Sequence, residues 1–189
     1  PGTLTTFSDL LDTVILYRTN IGDSRTNGLE LFAEYGLRLS EHWYASVFTS
    51  TSWFDARYLG DSLRVSSTEN RSIKGNRLES APQWISRNSL SIRYKVLSVS
   101  LLYSYTAESY ADPLNTVQPN ATGAVGLVPA YGLLDLNASC RLLDNLMLRL
   151  SVNNLTDKQY FTKRPAFYPG PGVWPSDGRS VVLTVQVRL

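Results

Sequence analysis

Gly60-Asp61-Ser62-Leu63 spells the nucleophile block of a family of serine esterases. A serine nucleophile needs a base within reach to take its proton. His42 is the only histidine of the chain; it lies upstream, in a predicted tight turn, and no histidine follows Ser62. The block is therefore read as turn chemistry, which Gly, Asp and Ser favour for their backbone freedom and local hydrogen bonds. Cys140 is the only cysteine, so an internal disulfide and a Cys/His metal cluster are both excluded. Gly123, Gly126 and Gly132 have no following Gly-Lys-Ser/Thr and open no helix, so they form no phosphate loop. Asp9, Asp12, Asp55 and Asp61 are too scattered for a carboxylate pair. Asn70, Asn120, Asn137 and Asn154 begin formal glycosylation sequons, two of them on predicted strands. No acid–base constellation emerges, which argues against an enzyme and against a cofactor.

The elements that carry these residues are strands. Val181, Leu183, Val185, Val187 and Leu189 fall on one face of an extended segment, with Val182, Thr184, Gln186 and Arg188 on the other. The same alternation appears in Leu29–Leu37, Trp84–Tyr94, Ser98–Thr106, Leu134–Leu142 and Leu146–Val152. Trp43–Tyr58 also climbs, with Phe48 and Phe54 blurring its faces. Ser8–Arg18 is the least regular segment. The sum is about eight strands of roughly ten residues, the length a tilted membrane strand requires. Asn20–Asn27 is a connection rich in turn residues. Short turns at Ser40–His42, Lys95–Leu97 and Asp144–Asn145 alternate with long connections at Leu59–Arg77, Ser109–Pro129 and Thr156–Gly178. Nothing in the first long connection alternates, so it is read as loop.

Charge is nearly balanced, at +2 over 189 residues, so no electrostatic footprint for nucleic acid is present. Tyr supplies 11 residues against one Met, a bias that suits surfaces apolar at one end and wet at the other. Glu30, Glu34, Arg38, Arg93, Arg141, Arg149 and Arg188 repeat on the polar faces of several strands and suggest a hydrated lumen. An antiparallel sheet in a secreted protein gives the same alternation, but it does not sort its connections into short and long. Outer-membrane barrels do. The chain begins at Pro1 and carries no signal peptide, so it reads as processed or as a piece of something longer.

Four segments resemble TonB-dependent outer-membrane receptors of the ferric-citrate or siderophore type. Asn20-Ile-Gly-Asp-Ser-Arg-Thr-Asn-Gly-Leu-Glu30 resembles the entry to a late barrel strand, with its Gly-x-Glu step at Gly28-Leu29-Glu30. Arg77-Leu-Glu-Ser-Ala-Pro82 is similar to the stretch before another strand. Val152-Asn-Asn-Leu-Thr-Asp-Lys-Gln-Tyr160 resembles the C-terminal Asn-Leu-x-Asp-x-x-Tyr signature. Phe167-Tyr-Pro-Gly-Pro-Gly-Val-Trp-Pro-Ser-Asp-Gly-Arg179 resembles the last external loop and last strand entry. Leu189 stands where the family usually carries a terminal aromatic.

The resemblance implies an all-β fold: an antiparallel meander forming the last third of a barrel of about 22 strands, an open arc by itself. Residues 1–189 would be the C-terminal part of the barrel domain, with the plug and its TonB contact outside this stretch. The implied partners are a ferric chelate, the TonB complex through the plug, and outer-membrane lipid. Cationic loop residues suit an anionic chelate, because a guanidinium offers paired donors to carboxylates. Arg57, Arg77, Arg164 and Arg179 are the candidate ligand residues, with Arg164 and Arg179, which flank the Pro/Gly-rich loop, foremost. Arg71 and Lys163 lie in the same loops. Trp43, Trp84 and Trp174, with Tyr44, Tyr58 and Tyr105, are read as girdle or loop aromatics. The alternative is a complete eight-stranded barrel of structural or adhesive role, in which Ser8–Arg18 would pair with Arg179–Leu189.

Overall fold

The computed structural model describes residues 2–8, 14–66, 68–165 and 171–188, with side chains from residue 21 onward. Its strands are β1 (Gly2–Ser8), β2 (Val14–Asn20), β3 (Ser24–Arg38), β4 (Trp43–Tyr58), β5 (Ser62–Arg64), β6 (Asn70–Ser72), β7 (Trp84–Tyr94), β8 (Leu97–Thr106), β9 (Ser109–Tyr110), β10 (Leu127–Val128), β11 (Tyr131–Leu143), β12 (Leu146–Asn153), β13 (Phe161–Lys163), β14 (Trp174–Pro175) and β15 (Ser180–Val187). Seven of them form one antiparallel sheet in the order β15-β12-β11-β8-β7-β4-β3. Every neighbour in the meander is joined by a hairpin connection. The turns at 39–42, 95–96 and 144–145 lie at one rim, and the long connections leave from the other, after Tyr58, Thr106 and Asn153.

The sheet is an open arc among the described residues: β3 and β15 are its two edges. The segment Ser8–Arg18 is not one strand, as its sequence suggested. Gly2–Ser8 and Val14–Asn20 pair with each other as a separate hairpin, from Gly2 opposite Asn20 to Ser8 opposite Val14. Neither strand pairs with β15, so the pairing demanded by a complete eight-stranded barrel is not formed. Leu189 lies outside the described residues.

Register carries the alternation across all seven strands. Tyr35, Val47, Leu90, Leu101, Leu136, Val152 and Val181 make one continuous apolar row. Arg38, Tyr44, Arg93, Ser98, Ser139, Arg149 and Thr184 make a polar row on the opposite face. The apolar face is not covered: Leu29 is 70% exposed and Leu183 66%. Buried apolar side chains number only six among the described residues, namely Ile21, Ala56, Tyr58, Ile73, Val128 and Val152. A soluble sheet protein would hide such rows against a second layer. Here they form a band with aromatics at both ends. Trp43 packs on Tyr94 at the turn rim, ring centroids 4.5 Å apart, and Trp53 lies opposite Trp84 toward the loop rim. Ten residues of strand at about 3.3 Å each, tilted about 40°, give an apolar band about 25 Å tall.

Four details depart from the pattern read off the sequence. Strands β12 and β15 are eight residues long rather than ten. A bulge between Arg141 and Leu143 sets Leu143, not Leu142, opposite Leu146. Tyr44 faces the polar side, with the Arg93 guanidinium 4.9 Å from its ring, so it is no part of the girdle. Each long loop carries a two-stranded ribbon, β5 with β6, β9 with β10, and β13 with β14. Glycines sit where large aromatics cross between strands. A Cβ at Gly28 would stand 2.8 Å from the Trp53 carbonyl and 2.5 Å from the Phe54 ring. Backbone cannot yield as a side-chain tip can. Gly28→Ala is therefore expected to destabilise the barrel by about 1–3 kcal/mol, read as a lowered midpoint in urea unfolding from lipid vesicles. An unchanged midpoint would refute the tight fit.

Candidate ligand-facing loop layer

The three long loops rest on a small core at their rim. Ile21, Tyr58 and Ile73 are buried together, with Leu63, Leu78 and Leu114 packed around them. The Tyr58 hydroxyl donates to Glu79 Oε2 at 2.5 Å. Of the girdle and loop roles open to it, Tyr58 takes the loop one, as a core residue of the loop layer. The first loop is tied to the second by a reciprocal pair: the Arg77 amide donates to Asn115 Oδ1 at 2.7 Å, and Asn115 Nδ2 donates to the Arg77 carbonyl at 2.8 Å. Asn76 Nδ2 also donates to the Pro113 carbonyl at 2.9 Å. Asn115 holds a φ of 55°, a region Asn tolerates better than most side chains.

The third loop begins on Asn154, which is 5% exposed and has a φ of 50°. Its side chain accepts from the Lys158 amide and donates to the Lys158 carbonyl, both at 2.9 Å. The Asn154 amide donates to Asp135 Oδ1 at 2.7 Å. Asp157 Oδ1 in turn accepts from the Arg179 amide at 2.8 Å, closing the loop base onto the entry of β15. Tyr131 and Tyr160 pack against each other beside it, at 4.6 Å.

The four candidate arginines occupy this layer at three places. Arg57 and Arg77 are brought together by an antiparallel bridge at the base of the first loop. Arg57 Nε pairs with Asp55 Oδ1 at 2.7 Å and its NH1 donates to the Gly75 carbonyl at 2.8 Å. The Arg77 NH1 lies 3.9 Å from Glu108 Oε1, and its guanidinium 6.0 Å from the Tyr110 ring. Arg164 sits where the second and third loops meet. It donates to the carbonyls of Leu127 at 3.0 Å and Gly123 at 3.1 Å, and it covers the Phe161 ring at 4.8 Å. Arg179 makes one long bond, to the Leu155 carbonyl at 3.5 Å. Asn115, Glu79 and Asp135 were not singled out in the sequence. Their partners lie 38, 21 and 19 residues away, so nothing local marks them.

Ser62 opens the β5 ribbon on the loop rim, while His42 lies in the turn on the far rim, with the length of β4 between them. The esterase block has no base. Among the described residues no group of three or more His, Cys, Asp or Glu could hold a metal ion.

This arrangement has close counterparts. Residues 3–155 match the family model described as TonB dependent receptor-like, beta-barrel. The chain is 30% identical over 177 residues to the probable TonB-dependent siderophore receptor PiuA of Acinetobacter baumannii, covering 89% of this chain and 21% of that protein. The crystal structure of the siderophore receptor PiuA from Acinetobacter baumannii superposes with a TM-score of 0.66 at 26% identity, covering 90% of this chain and 22% of that one. The ferric citrate transporter FecA in its unliganded form shares the fold, with a TM-score of 0.66 at 22% identity over 96% of this chain and 26% of that one. The chain therefore spans about a fifth of the length of the curated relative it matches. With the sorted loops, the two-faced meander and the match over most of its length, this chain belongs to the TonB-dependent receptor-like β-barrel family.

Proposed function

We propose that the chain is the C-terminal part of the barrel of an energy-coupled receptor that takes up an anionic ferric chelate, ferric citrate or a siderophore. As a member of its family it is an outer-membrane β-barrel segment of a Gram-negative cell, and the family is one of receptors rather than enzymes. The observation that carries the proposal is the interlocked loop layer with four arginines on one rim of a membrane-spanning sheet. The relatives include a siderophore receptor and a ferric citrate transporter, which suits that cationic layer. TonB would act through a plug domain contributed by sequence outside this stretch.

The arginines have donors to spare. A guanidinium has five N–H groups; Arg164 uses two on carbonyls, and Arg179 one. The remainder can meet chelate carboxylates as charge-assisted bonds. Arg57 and Arg77 offer a second such pair at the first loop. Arg179→Ala is expected to weaken ferric citrate binding by the full-length receptor about tenfold, or about 1.4 kcal/mol. Arg164→Ala is expected to weaken it at least as much and also to speed proteolysis of the loops it joins. Titration of chelate by intrinsic fluorescence checks both, and unchanged affinity in the two variants would remove the assignment.

A further inference from the structure

Among the described residues, polar side chains interrupt the apolar face between the two aromatic belts at one place, where β4 pairs with β7. Thr49, Thr51, Ser86 and Asn88 lie there, in register with Ala33, Leu31, Tyr105 and Tyr103. Both strands have a neighbour on each side, so the patch is complete within this sheet. Thr49 donates to Asn88 Oδ1 at 2.8 Å, and Asn88 Nδ2 donates to Ser86 at 2.8 Å. The Thr49 proton is then committed, so Thr51 must donate to Thr49 at 3.2 Å, and Ser86 to Thr51 at 3.0 Å. Every hydroxyl proton is used. Asn88 alone keeps a donor, its second N–H, together with a free lone pair on Oδ1. Asn88 is four residues from Trp84, about 10 Å inside the loop-rim belt. The ester oxygens of a lipid stay at belt level, and the hydrocarbon that reaches this depth neither accepts nor donates a proton. An acyl chain can cover this amide but cannot pair it.

The same patch on a second copy supplies both missing partners at the right depth. Barrels of one sequence enter the membrane in one orientation, so two copies place Asn88 at the same height without adjustment. The surface around Asn88 also complements itself. On one side Ala33 and Thr49 are small and border a groove of about 510 Å³. On the other side Tyr103 stands 46% exposed, directly across from Asn88 on β8. A two-fold axis along the membrane normal through Asn88 sets β4 of each copy against β8 of the other. Each Tyr103 then faces the Ala33–Thr49 hollow of its partner, an isologous contact of ridge in groove made twice. In hydrocarbon, where apolar burial gives no drive, small residues that allow close approach and polar groups that pair across the contact are what hold spanning segments together.

We infer that two copies of the receptor associate in the membrane through this face, each Asn88 amide bonded to an oxygen of the partner's patch. The test cross-links the full-length receptor in isolated outer membranes with a short bis-maleimide, its native cysteines, Cys140 among them, replaced by serine. Leu90→Cys puts a thiol beside Asn88, and Leu150→Cys puts one on the same face three strands away. The Leu90 thiol should give a cross-linked dimer at least about fivefold more than the Leu150 thiol. Adding Asn88→Val, which keeps the volume and removes the amide, should lower the Leu90 product about fivefold while chelate binding stays unchanged. Ala33→Phe, which fills the hollow and leaves the hydrogen bonds alone, should lower it as well. Heat-modifiable migration on gels confirms that each variant is a folded barrel. Equal cross-linking at Leu90 and Leu150 would mean random collision and overturn the inference. So would a receptor that stays monomeric at both positions, or a Leu90 product undiminished by Asn88→Val.

Discussion

Leu101→Arg is expected to cost the folded barrel about 2–4 kcal/mol, whereas Ser100→Arg next to it should cost less than about 1 kcal/mol. The two residues are neighbours in β8 and have opposite surroundings. Leu101 sits in the apolar row between Leu90 and Leu136. That row is four residues from the Trp43 end of the band and six from the Trp53 end, close to mid-membrane. A guanidinium there must stretch to the interface or stay unsolvated. Ser100 faces the lumen side, where it bonds only to Ser91, at 2.8 Å. Water can solvate an arginine at that place. Urea unfolding of the full-length protein from lipid vesicles measures both variants. Equal losses would mean that the apolar face is not the lipid face, and the membrane assignment of this sheet would fall with it.

Asn154→Ala should be the most damaging change in the loop layer, at about 2–5 kcal/mol. Two terms add. The Lys158 amide and carbonyl lose their partner, and because Lys158 itself is exposed, water offsets part of that loss, leaving about 1–4 kcal/mol for the two together. Alanine must also hold a φ of 50°, which costs about 1 kcal/mol more than asparagine. Asn154→Gly removes the bonds but not the backbone freedom, so it should recover only the second part. The loss should also reach Arg179, whose amide is held by Asp157 in the same turn. Limited proteolysis is therefore expected to cut the 154–179 loop earlier in Asn154→Ala than in wild type. A variant with wild-type stability and wild-type cleavage would show that the Asn-Leu-x-Asp-x-x-Tyr turn does not organise the loop base.

Much of the fold is written locally. Alternation is visible because successive side chains of a strand point to opposite faces, and here the two faces meet different media. The sorted connections reveal the meander, since two to four residues suffice only between adjacent antiparallel strands. Asn154 is legible within its signature for a similar reason, as its side chain closes on Lys158, four residues away. The hairpin of β1 and β2 is hidden because neither strand alternates cleanly. The loop ribbons are hidden because two or three residues, as in Ser62-Leu63-Arg64, are too few to show a period.

The arginines show the boundary most sharply. Residue type alone makes Arg57, Arg77, Arg164 and Arg179 candidates for contact with an anionic ligand. Their placement depends on contacts over long separations: Arg164 reaches Gly123 across 41 residues, and Arg77 meets Asn115 across 38. The hydrogen bond from Thr49 to Asn88 Oδ1 on the outward face is the same case, since the two are 39 residues apart. In sequence, Thr49 and Thr51 are two hydroxyls in a strand.

The sequence by itself determined the strand period, the rhythm of short and long connections, the wet and dry faces, and the family. The first three follow from covalent geometry and solvent preference within a few residues, whereas the family rests on the resemblance of four short segments. The tertiary structure decided that the sheet stays open among the described residues, that Tyr44 turns to the polar face, that Tyr58 anchors the loop core, and which arginines lie side by side. It also joined Thr49 to Asn88 across the pairing of β4 with β7. Those outcomes depend on register between strands, and register is fixed by pairing across the sheet rather than by any one strand.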